Sequence, residues 1–199
     1  MSAGLGNSMA SEGIEKNYSL FSTLSFLYAL LAGWCTVCLI CLYQPFMALW
    51  VGESLTLPFH TMVILCVYFY LLCVGDIKGA FSGAAGLWWE ERYKAVIESV
   101  SNIIFNYLLV RTFGIFGIIL ATVITLSFIN FGYGSSILFK YYFKNKIWLF
   151  KFYIQHFIYM IITSAICVFC YWICSFIKTE NQFIEFLLKI LVCVIISPL

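Results

Sequence analysis

The chain has 199 residues, of which 63% are hydrophobic and 10% charged, and its mean hydropathy is +0.99. Soluble domains carry about 25% charged residues; there are too few here to coat a water-soluble globule, which points to an integral membrane protein. Eleven Lys and Arg against nine Asp and Glu leave a net charge of only +2, which gives no basis for nucleic-acid binding.

Residues 1–17 are polar and rich in Gly and Ser, with no charged stretch leading into an apolar core. They read as a cytoplasmic segment, and no secretory signal peptide is expected. Apolar runs of about 20 residues then mark spanning helices. They predict spans near 18–43, 57–86, 93–110, 114–139, 152–176 and 183–199. Pro45 either ends the first span or kinks it, because "PFMALWVG" stays apolar to Val51. "RTFG" between the third and fourth spans allows only a tight antiparallel turn. Strand alternation is absent, so a β-barrel is not expected. The fold class is all-α, a polytopic up-down bundle of about six spanning helices over residues 18–199.

Positive charge orients such a bundle. Lys16, Lys78, Arg92, Lys94, Lys140, Lys144, Lys146 and Lys151 fall on one side, and Arg111, Lys178 and Lys189 on the other. The cation-rich side is expected to be cytoplasmic, with the N-terminus there and the loops at Leu55 and Thr179 facing outward.

Polar residues inside the spans are the candidate functional groups. Glu98, Asn102 and Asn106 recur every four residues, so they share one helix face. Carboxylates within a membrane are costly and seldom face lipid. The stripe reads either as a cavity wall that hydrogen-bonds a polar substrate or carries a proton, or as polar glue between helices. Asp76 and Lys78 interrupt the second span: they line a cavity if the helix runs on to Gly86, or are interfacial charges if the membrane ends at Gly75. His60, Gln155 and His156 lie near expected membrane boundaries, where polar-tipped rings are ordinary. The small-residue run "GAFSGAAG" and Gly114 with Gly117 permit close helix packing.

The nine cysteines, including those of "CTVCLIC" and "CVFC", sit in apolar runs, where Cys serves as a small hydrophobe. No metal site or disulfide framework is expected from them. There is no P-loop and no recognisable Ser/His/Asp motif, so neither catalysis nor a cofactor is expected.

"GLWWEERYKAVIESVSNIIFNYLLVRTFGIFGIILATVITLSF", preceded by "GNSMASEGIEKNYSLFSTLSF" and "CLYQPFMALWVG", resembles bacterial polysaccharide flippases. These are the O-antigen and capsule repeat-unit transporters of the multidrug/oligosaccharidyl-lipid/polysaccharide exporter superfamily. The likeness covers Gly6–Tyr142; the last two helices match by hydropathy alone. It implies a two-lobed exporter fold with this chain as the C-terminal lobe. An N-terminal lobe would be its partner, and Met1 would fall at the end of an earlier helix. It implies alternating-access translocation of an undecaprenyl-diphosphate-linked oligosaccharide across the inner membrane, with Glu98, Asn102 and Asn106 facing the cleft and Lys78 attracting diphosphate. A cation-coupled drug exporter of the same superfamily, or a non-transporting membrane fragment that needs a partner lobe, are the alternatives.

Overall fold

The structure, a computed structural model, describes residues 2–177, 179 and 181–196. Among these the chain is all-helical: α1 (Ser2–Ser11), α2 (Ile14–Trp50), α3 (Phe59–Ala84), α4 (Trp88–Phe113), α5 (Ile115–Phe143), α6 (Lys146–Phe176) and α7 (Gln182–Ile196). Four of the seven, α2, α3, α5 and α6, are long and apolar enough to cross a membrane. The other two expected spans coincide with helices that do not meet that standard. α4 carries five charged residues in its first eleven positions and then the polar stripe, while α7 has only 15 residues. Lys178 and the Pro198–Leu199 end of the sixth expected span, like Met1, lie outside the described residues.

Element ends depart from the expected ones where local hydrogen bonding outweighs hydropathy. The polar N-terminal segment forms α1, tied back by Asn17. Ser8 Oγ donates to Asn17 Oδ1 at 2.8 Å, and Asn17 Nδ2 donates to the Ser8 and Glu12 carbonyls. α2 passes through Pro45 and ends only at Trp50. α6 starts six residues before the expected position. Asn145 caps it, accepting from the Ile147 and Trp148 amides at 2.9 and 3.2 Å. His156 therefore lies almost three turns inside α6 and is buried.

An aromatic core joins α2, α3, α5 and α6. The Phe21 ring is wholly buried and lies 5.0 Å from Phe81, 5.4 Å from both Phe143 and Phe152, and 5.7 Å from Phe139. Tyr18 stacks on Trp148 at 4.1 Å. In lipid, close packing of this kind carries the stability, because the tails outside are as apolar as the core. The outer faces are apolar too: Ile103, Phe128 and Val168 are exposed, as surfaces facing acyl chains should be.

α4 has no buried residue and is held mainly through α5. A single residue, Gly114, separates the two helices. Its φ of +59° and ψ of −135° suit glycine alone. One turn on, a Cβ at Gly117 would strike the Leu109 carbonyl, so this glycine sets how closely α4 and α5 cross. The "GAFSGAAG" run does not act in the same way: a Cβ at Gly79 meets nothing within 4 Å, and one at Gly83 meets only the Trp88 ring.

Candidate functional site

α3, α4 and α5 bring their polar side chains to one seam. α3 extends past Gly75 to Ala84, so Lys78 is enclosed, at 1% exposure, and does not sit at a helix end. Its Nζ donates to Asn130 Oδ1 at 2.7 Å and also to the Asn130 main-chain oxygen. Asn130 belongs to a π-helical stretch of α5, Leu126–Tyr133. Such wide turns recur at functional sites. The ammonium fits because Gly134 has no side chain: a Cβ there would lie 2.7 Å from Nζ.

Asn130 links this cation to the α4 stripe. Its Nδ2 donates to Glu98 Oε2 at 3.4 Å, a long and weak bond. Asn102 Nδ2 donates to Thr125 Oγ1 at 3.1 Å and reaches Thr122 Oγ1 at 3.4 Å; Asn106 Nδ2 donates to Asn102 Oδ1 at 2.7 Å. The amides of Asn102 and Asn106 are thus engaged with α5 and with each other. Glu98 instead points toward the charged end of the seam.

At that end is a cleft of about 330 Å³ lined by Leu71, Gly75, Asp76, Lys78, Lys94 and Asn130. Lys94 is paired with Glu91 on its own helix at 2.7 Å. The ion pairs among the described residues join Lys16 to Glu12, Lys94 to Glu91 and Lys189 to Glu185. Lys78 is in none of them, and two neutral oxygens hold its charge. A buried ammonium without a counter-ion is costly, and it attracts anions through charge-assisted hydrogen bonds. Glu98 reaches it only through Asn130, and Lys94 lines the same cleft. Exposed Asp76 supplies a carboxylate acceptor at the cleft wall.

A larger cleft, about 670 Å³, runs among α2, α3, α5 and α6, with Val63, Val67, Val123, Met160 and Val168 in its walls. Leu71 lines both clefts. A charged recess and an apolar groove therefore adjoin across one leucine.

Of the five residues singled out from sequence, Asp76 and Lys78 share the cleft, Glu98 reaches it through Asn130, and Asn102 and Asn106 lie farther along the α4–α5 seam. Asn130 and Lys94 were missed as site residues. Asn130 had a signal, as a lone amide inside the apolar run "LSFINFGY". His60 is exposed beside Phe116, with ring centroids 5.4 Å apart. His156 packs among Phe131, Phe152 and Tyr159, its Nδ1 2.9 Å from the Phe152 carbonyl. Neither histidine joins the cleft lining.

Comparison with protein-family models, with curated proteins and with solved structures found no match.

Proposed function

We propose that this chain is a transporter lobe that moves a lipid-linked oligosaccharide across the bacterial inner membrane by alternating access. The observation that carries the reading is the junction at Leu71 between a larger apolar groove and a recess whose buried lysine makes no direct ion pair among the described residues. An amphiphile with an anionic head and a hydrocarbon chain needs both environments side by side. Undecaprenyl-diphosphate-linked sugar, the substrate class that the sequence resemblance implies, has that form. Lys78 and Lys94 would bind the diphosphate oxygens, and Asp76 and Glu98 would accept hydrogen bonds from sugar hydroxyls.

In this reading the bundle comprises about six spans, with α4 and α7 crossing beside the four most apolar helices. The N-terminus faces the cytoplasm, and a second lobe closes the other side of the cleft. Movement between inward and outward states requires that the substrate bind them with different affinity. A lysine held only by neutral oxygens supplies that difference, because it gains a counter-ion when the headgroup arrives. Lys78→Met and Lys78→Arg, introduced at the native chromosomal locus, test the reading by surface-polysaccharide measurement. The Met variant, at normal protein level, should fall to the background of a gene deletion, and the Arg variant should retain polymer. Normal polymer in the Met variant would overturn the reading.

A further inference from the structure

Six of the nine cysteines lie in one cluster away from the charged cleft: Cys38 and Cys41 of α2, Cys167, Cys170 and Cys174 of α6, and Cys193 of α7, with Cys167 also lining the larger apolar cleft. Within it, the Sγ atoms of Cys41, Cys174 and Cys193 all lie within 4.8 Å of one another. Each comes from a different helix, each is buried, and the surroundings are Val37, Ile40, Leu42, Ile166 and Val192.

We infer that these three cysteines form a binding site for Cu(I). Three sulfurs bound to one ion at about 2.3 Å, the length of a zinc–thiolate bond, lie about 4 Å apart in a plane. The present triangle, with no Sγ pair farther apart than 4.8 Å, is close to that spacing. Soft thiolates select soft ions such as Cu(I). A closed zinc site instead takes four tetrahedral ligands, and the ligand group here has three. No carboxylate or histidine belongs to the cluster among the described residues, so hard cations have nothing to bind. Cu(I) displaces the proton of one thiol, which passes to the buffer, and the other two sulfurs bind as neutral thiols, so the site gains no net charge in its apolar surroundings. Copper enters and stays as Cu(I), with no electron transferred. Because the ligands come from α2, α6 and α7, the bound ion clamps the short C-terminal helix to two long ones.

The test uses the full chain, purified in detergent under a thiol-free reductant, and titrated against the Cu(I)–bicinchoninate complex. The parent should withdraw about one equivalent of copper and gain thermal stability. Cys41→Ala, Cys174→Ala and Cys193→Ala should each weaken binding by at least about tenfold, the scale on which even supporting residues matter to a metal site. Cys35→Ala, at an exposed position outside the cluster, should not. Alanine is apolar and small, and helical circular dichroism reports whether each variant folds. If a variant fails to fold, X-ray absorption of the copper-loaded parent decides, since only sulfur neighbours are expected. No copper uptake, uptake that survives the triple alanine variant, nitrogen or oxygen neighbours, or retention of zinc in preference to Cu(I) would each overturn the assignment.

Discussion

Lys78 on α3 and Asn130 on α5 are joined twice, once through the amide oxygen and once through the main-chain oxygen of the same residue. A buried ammonium thus depends on one partner. Removing that partner should cost more than removing the charge. Asn130→Leu removes the amide oxygen but leaves the main-chain oxygen, and should destabilise the chain by about 1–3 kcal/mol, the scale for losing a hydrogen bond to a buried charged group. Adding Lys78→Met to it should recover most of the loss, because both polar groups are then gone. Unfolding in detergent micelles measures all three variants. Equal instability of the single and double variants would show that Asn130 acts through something other than Lys78.

Two glycines of similar appearance should behave oppositely. Gly117→Ala puts a methyl against the Leu109 carbonyl and should cost about 1–3 kcal/mol through overpacking. Gly79→Ala has open space around it and should be neutral, or stabilising by up to about 1 kcal/mol through helix propensity. The same micelle unfolding assay ranks them. A Gly117→Ala variant as stable as the parent would mean that α4 and α5 do not need their close crossing.

The aromatic core makes a third contrast. Phe21→Ala removes a ring with four aromatic neighbours within 5.7 Å and should lose about 3–5 kcal/mol. Phe128→Ala, at a side chain 74% exposed, should shift stability by less than about 0.5 kcal/mol, as surface changes do.

The distribution of positive charge predicts orientation. A cysteine introduced at Leu55 should react with a membrane-impermeant maleimide on intact cells. One at Lys144 should react only after permeabilisation. The parent chain is the blank, since most of its cysteines are in apolar surroundings. The reverse pattern would invert the bundle.

The helices were legible because runs of apolar residues long enough to span lipid leave few alternatives. Their ends were less so. Capping by Asn145 and the folding of α1 onto Asn17 depend on a few side-chain hydrogen bonds that hydropathy does not register, and the path of α2 through Pro45 is equally invisible to it. The α4 stripe was visible from its spacing of four, but its neighbours were not. Nothing in the sequence says that Asn102 meets Thr125, or that Asn130 stands between Lys78 and Glu98. The cysteines show the same limit most clearly. Each reads locally as a small apolar residue, and the triangle exists only once α2, α6 and α7 are side by side.

The single-residue turn at Gly114 has a mechanical consequence. Helices joined this tightly cannot slide past each other; they can only open like scissor blades about the joint. Glu98 lies sixteen residues from Gly114, a lever arm of about 24 Å along the helix. Opening the pair by about 5° carries Glu98 some 2 Å, roughly, away from α5 on that arm. That travel is enough to break its weak contact with Asn130 while the joint itself hardly moves, so the far end of α4 is the part of this bundle where a small change of angle is felt first.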